Sequence, residues 1–159
     1  MKLLTVTIPC YNSQEYMEKC IKSLLPGGSR VQIVIIDDGS KDATGEIADR
    51  YAAQYPDIVT VVHQPNGGHG EGVNQGLRHA TGLYYKVVDS DDWLDPDALK
   101  KVLRQLRIQS METPLDMMLC NYVYEHVADN ITTYSPRIRC SPGRTAASFD
   151  PASIFSCIP

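Results

Sequence analysis

Val31-Gln32-Ile33-Val34-Ile35-Ile36 is apolar at all but one position and mostly β-branched, and it runs without alternation into Asp37-Asp38-Gly39-Ser40. A strand with one wet face alternates polar and apolar residues. An unbroken run of this kind belongs to a strand covered on both faces. Such strands lie in parallel sheets, and parallel neighbours need crossover connections, usually helices.

The rest of the chain supplies them. Leu4 to Ile8 reads as a first buried strand, ended by Pro9. From Gln14 to Leu25, Met17, Cys20, Ile21, Leu24 and Leu25 share a helical face, with Asn12 as cap and Glu15 completing a capping box. Pro26-Gly27-Gly28 stops that helix. A second helix spans 43–55 with Ile47, Ala48, Tyr51 and Tyr55 inward, followed by a strand over 58–62. The glycine-rich stretch 64–72 leads into a short helix with Val73 and Leu77 inward, and a fourth strand covers 84–88. Asp95-Pro96 opens a helix to about Gln109 on Leu99, Val102, Leu103 and Leu106. Four strand–helix alternations predict an α/β fold with a mostly parallel sheet. After Pro114 the pattern changes: Met117 to Tyr124 reads as a strand that pairs with 131–134. Residues 140–159 form an irregular tail.

A chain of 159 residues fits one domain, and 43% hydrophobic with 21% charged content is ordinary for a globular protein. A net charge of -4 without a basic cluster excludes general nucleic-acid binding. No run reaches the length of a membrane span, and the N-terminus has no signal-peptide shape. Five widely spaced cysteines without a C-x-x-C exclude a zinc cluster or a full disulfide framework and favour a reduced, cytoplasmic protein.

Asp89-Ser90-Asp91-Asp92 follows the fourth strand, placing three carboxylates in four positions. Burying them together requires a cation or hydrogen-bond donors. Carboxylate oxygens suit Mg2+ or Mn2+, and Mg2+ sites are often completed by substrate phosphates. Asp37-Asp38 ends the second strand, well placed to accept from ribose hydroxyls or a base N–H. The competing role is to satisfy local backbone amides. Ligands of open α/β sheets bind outside the carboxyl ends of the strands, so both acidic ends can face one crevice. Tyr11 offers a flat face to a base. Gly70-Glu71-Gly72-Val73-Asn74-Gln75-Gly76 imitates a dinucleotide fingerprint, but the true one occupies the first βα turn, here Pro9 to Ser13, which lacks glycine. These glycines instead permit positive φ or let a ligand approach the backbone. His69 is a candidate for phosphate or acceptor contact. His63, His79 and His126 receive no role, and Trp93 reads as core.

Four segments taken in order carry a resemblance: 5–12 (TVTIPCYN), 35–42 (IIDDGSKD), 66–70 (NGGHG) and 87–94 (VVDSDDWL). With them the chain, over about residues 3 to 125, resembles the family 2 glycosyltransferases of GT-A fold, a Rossmann-like sheet flanked by helices. The resemblance implies a nucleotide-sugar donor, often UDP-linked, and Mn2+ or Mg2+. It places Pro9, Tyr11 and Glu15 around base and ribose, with Asp38 on the base and Asp37 supporting. Asn66, Gly68 and Gly70 of the glycine turn, with Asp89 and Ser90, join the nucleotide site. Asp89, Asp91 and Asp92 make the D-x-D region that holds the metal on the diphosphate.

An inverting member also needs an acid to take the acceptor's proton. None of Glu125, Asp129 and Asp150 sits in a recognisable base motif, so the base is expected beyond Pro159, with 140–159 leading to an acceptor-binding segment. Val73 stands where many members carry Arg. The acceptor class (glycan, lipid or protein) stays open, and a location peripheral to the inner membrane face would suit a lipid or polymer. Two other classes compete: a non-catalytic nucleotide-sugar-binding module, and a nucleotidyltransferase, whose glycine-rich basic first turn is missing here. A receiver-like phosphoacceptor domain lacks its further Asp and Lys.

Overall fold

The computed structural model describes residues 1–112, 116–120, 122–126, 131–134 and 155–157. They group into two compact units, Met1–Trp93 and Leu94–Pro159. The sequence pattern shows its own change later, after Pro114.

The first unit runs β1 (Leu4–Cys10), α1 (Met17–Leu24), a 3-10 turn (Leu25–Arg30), β2 (Val31–Asp37), α2 (Thr44–Gln54), β3 (Val59–His63), α3 (His69–Arg78) and β4 (Tyr84–Val87). The sheet order is β3-β2-β1-β4 with every pair parallel. Every residue of β1 and β2 is buried, as the unbroken apolar run requires. Two steps lead outward from β1 to β3, and the third returns to the far side of β1. Right-handed crossovers therefore put α1 and α2 on one face and α3 on the other. The reversal between β1 and β4 is a topological switch point, where such sheets bind ligands.

Among the polar groups inside this core Thr7 Oγ1 is left without a partner, whereas Gln32 is fully engaged. Gln32 Oε1 accepts from Thr5 Oγ1 at 2.8 Å and from Thr81 N at 2.8 Å, while its Nε2 donates to His79 O at 3.0 Å. The α3–β4 connection is thereby tied to the amino end of the sheet.

The second unit contains α4 (Pro96–Glu112), β6 (Val123–His126), β7 (Ile131–Tyr134) and β8 (Phe155–Cys157); a two-residue strand, β5 (Trp93–Leu94), spans the division. Asp95 Oδ1 accepts from Ala98 N at 2.7 Å, the expected cap of α4. β6 pairs antiparallel with β7 and parallel with β8. The strand expected from Met117 begins only at Val123. Of the expected irregular tail, 155–157 are strand, and the remainder lies outside the described residues.

Three sequence expectations are corrected. Asn12 does not cap α1: the helix starts at Met17, its N-cap Tyr16 makes no side-chain cap bond, and Asn12 itself has φ 50°. Its Oδ1 instead accepts from Lys41 N at 2.8 Å. Tyr55 falls just past α2 and is exposed, stacked on Tyr51. Leu77 is 57% exposed, and the buried positions of α3 are Gly72 and Gly76.

The last correction has a steric cause. A Cβ on Gly76 would lie 2.1 Å from Thr7 Cγ2, and one on Gly72 would lie 3.3 Å from Pro9 Cβ. The helix backbone rests directly on β1, leaving no room for a side chain. Gly76→Ala should destabilise the fold by about 1–3 kcal/mol through overpacking. Gly70→Ala, whose added Cβ meets nothing within 4 Å, should be neutral or gain up to about 1 kcal/mol. Urea midpoints of the two variants check the contrast; equal midpoints would mean that α3 stands off the sheet.

Candidate functional site

The carboxyl ends of β1, β2 and β4 surround two neighbouring cavities. One, about 400 Å3, is lined by Pro9, Cys10, Tyr11, Asp38, Asn66, Gly68, His69 and Gly72. The other, about 310 Å3, is bordered by Pro9, Tyr11, Asn12, Ser13 and Tyr16 on one side, and by His69, Asp89, Ser90 and Asp91 on the other. Pro9, Tyr11 and His69 belong to both. Tyr11 is 50% exposed, so its ring is available to a ligand.

The adjacent acids Asp37 and Asp38 are both buried but face different partners. Asp38 Oδ1 accepts from Gln64 Nε2 at 2.7 Å and Gly67 N at 2.8 Å, and its Oδ2 accepts from Gly68 N at 2.8 Å. Burial alone would raise its pKa, but these donors outweigh burial and hold it below the usual value. Asp38 therefore fixes the glycine turn at the cavity wall. Gly68, at φ 82°, adopts a conformation that suits glycine there. Asp37 Oδ1 accepts from Ser40 N at 3.0 Å, and its Oδ2 lies 2.9 Å from His63 Nδ1. Burial again pushes upward, and the Ser40 and His63 contacts bring the net pKa below the ordinary value.

The first βα turn is laced to the second. Asn12 N donates to Ser40 Oγ at 3.0 Å, Ser13 N to Thr44 Oγ1 at 2.7 Å, and Gln14 N to Asp42 Oδ2 at 3.2 Å. In return Ala43 N donates to Gln14 Oε1 at 3.0 Å. The acidic loop is fastened to the same region. Ser13 Oγ and Ser90 Oγ are 2.9 Å apart, Cys20 Sγ donates to Asp89 O at 3.6 Å, and Lys19 Nζ lies 3.0 Å from the Trp93 ring centroid. His69 Nε2 reaches Asp89 Oδ1 at 2.9 Å. Beneath the site, Cys10 and Cys20 are 1% and 0% exposed, and burial, foremost, pushes both thiols well up from their ordinary pKa.

Of the sequence-chosen residues, Pro9, Tyr11, Asp38, Asn66, Gly68, Asp89, Ser90 and Asp91 line the cavities. Glu15 is exposed and Gly70 open, and neither lines a cavity. Asp37 turns to His63, and Asp92 donates its N–H to Asp89 O at 3.0 Å. Sequence reasoning missed Ser13, Tyr16 and His63. Only the adjacency of Ser13 to Tyr11-Asn12 could have signalled the first. The role of His63 depends on register, which sets it opposite Asp37.

His63 also reaches Asp49 Oδ1 at 3.0 Å with Nε2, and the two carboxylate hydrogen bonds, Asp37 first, raise its pKa above 6.5. A raised folded pKa gives stability that is complete below the unfolded value and fades as pH rises through the folded one. The stability lost in His63→Gln should therefore be largest near about pH 6 and shrink as pH rises through the raised folded-state pKa. Urea titrations of both proteins across that range test it; a loss that grows with pH would refute the pairing.

The chain matches the family described as Glycosyl transferase family 2 over residues 5–139. It is 33% identical to the putative glycosyltransferase EpsH of Bacillus subtilis, over 77% of this chain and 34% of EpsH. It is 38% identical to the uncharacterized glycosyltransferase YibD of Escherichia coli, over 74% of this chain and 33% of YibD. Among solved structures, S. aureus TarS in complex with UDP-GlcNAc is 27% identical with a TM-score of 0.60, over 78% of this chain and 33% of that one. The chain thus spans about a third of the length of these proteins. With its parallel sheet and a family match over most of its length, the chain belongs to glycosyl transferase family 2 and carries the GT-A fold.

Proposed function

We propose that this chain forms the donor-binding part of a metal-assisted, inverting glycosyltransferase that takes a sugar from a UDP-sugar. The observation that carries the reading is the pair of cavities at the switch point. They share Pro9, Tyr11 and His69, and one of them is walled by Asp89, Ser90 and Asp91. Base and ribose would occupy the larger cavity, against Tyr11 and the glycine turn held by Asp38. The diphosphate would lie toward the acidic loop. The solved TarS complexes with UDP and UDP-GlcNAc support the choice of donor.

The donor set fits a hard divalent cation. Asp89 and Asp91 border one cavity. Among the described residues no three His, Cys, Asp or Glu side chains come together as a metal site. Two carboxylates with the other positions left to water and phosphate suit Mg2+ or Mn2+. When bound, the metal would supply neutralisation of the charge growing on the departing diphosphate. His69 orients Asp89 by occupying its Oδ1, and Asp91 is free of that contact. The acid that takes the acceptor's proton, and the acceptor-binding segment, we assign to sequence outside this chain. Among the described residues no helix is long and apolar enough to cross a membrane. A cytoplasmic enzyme, peripheral at the inner membrane face, goes with this reading.

Calorimetric titration with UDP and GDP, each with and without Mn2+, tests the proposal. UDP binding should strengthen with Mn2+, and Asp91→Asn should abolish that gain while leaving metal-free binding intact. Asp38→Ala should weaken metal-free binding roughly tenfold, about 1.4 kcal/mol, because the part-buried amides of Gly67 and Gly68 lose the acceptor that holds the glycine turn at the cavity wall. Binding that ignores both substitutions would rule out the site.

A further inference from the structure

We infer that Ser13 is a positioning residue, which couples the nucleoside side of the site to the acidic loop by setting the direction of the Ser90 hydroxyl. The inference rests on the donor-site reading. Ser13 is 3% exposed and touches three parts of the fold at once. Its N–H donates to Thr44 Oγ1 at the start of α2, and Thr44 is itself fully buried. Its carbonyl accepts from Tyr16 N at 3.1 Å and Met17 N at 3.0 Å, opening α1. Its hydroxyl meets Tyr11 and Ser90.

The hydroxyl geometry limits the options. One Oγ has one proton to donate and two lone pairs to accept with. Tyr11 N donates to Ser13 Oγ at 3.2 Å, which uses one lone pair. The proton has two possible acceptors, Tyr11 O at 3.4 Å and Ser90 Oγ at 2.9 Å. Either hydroxyl of the Ser13–Ser90 pair can donate; we take the Ser13 proton to go to Ser90, the shorter of its two contacts. Once Ser90 accepts from Ser13, its own proton is left to point elsewhere, and Ser90 lines the cavity. A phosphate or ribose oxygen there is an acceptor, and a hydroxyl that already accepts is a better donor. Ser13 thus hands polarisation from the Tyr11 amide, on the base side, to a donor on the phosphate side. Cys20 and Lys19 hold the same loop through Asp89 and Trp93, so the loop is anchored on both sides of Ser90.

Two measurements on the chain decide the matter. UDP is titrated with Mn2+ present against wild type, Ser13→Ala, Ser90→Ala, the double variant and Ser90→Thr. Trp93, the only tryptophan and 9% exposed, reports the loop without ligand through acrylamide quenching. Each alanine should weaken UDP binding about fivefold, the double variant about as much as either alone, and Ser90→Thr little, because coupled partners are not additive. Quenching of Trp93 should rise in ligand-free Ser13→Ala. Losses that multiply to about 25-fold, or unchanged quenching, would overturn the role of Ser13 while leaving the donor site standing. A wild type that binds no UDP would instead overturn the donor-site reading, and the quenching comparison alone would then decide whether Ser13 anchors the loop. Should Ser13→Ala fail to fold, Ser90→Ala, which keeps the Thr44 contact, carries the same quenching test.

Discussion

Everything at the site depends on how closely α3 approaches β1. Two glycines one helical turn apart, Gly72 and Gly76, let the helix backbone touch Pro9 and Thr7. That contact sets the height of the helix start, and with it the turn from Asn66 to Gly68 that walls the larger cavity. A bulkier helix would stand further from the sheet and carry the turn away from Asp38. The acid's three hydrogen bonds then have a clear office: they fasten an already close turn to the strand end.

Two neighbouring buried carboxylates would repel each other if left alone. The chain separates their duties. Asp38 spends its oxygens on amide donors, whereas Asp37 faces a half-exposed histidine that can share a positive charge. Both acids stay ionised despite burial, for different reasons. The His63 contact reaches on to Asp49 on α2, so the edge strand, the central strand and a helix meet at one ring.

The sheet was legible in the sequence because its cause is local. An unbroken run such as Val31–Ile36 has few alternatives to a doubly covered strand, and the acids at Asp37-Asp38 and Asp89–Asp92 mark strand ends. The inward face of α3 was not legible, because periodicity weighs large apolar side chains and this face is buried by having none. Asn12 obeyed a local rule on paper, but in the fold its positive φ and its bond to Lys41 serve the neighbouring loop. Ser13 and His63 act through partners roughly thirty or more residues away (Thr44 and Ser90 for one) or across a strand register. No single-chain pattern records such meetings.

The thiols of Cys10 and Cys20 lie under the site, shielded from solvent and kept in their protonated form. A protonated, buried sulfur reacts slowly with alkylating reagents, so both thiols are protected while the floor stays closed. Labelling then proceeds only at the rate and frequency with which that floor opens. The protein carries its own clock for the breathing of this region, readable from the mass gained over time by the peptides that hold Cys10 and Cys20.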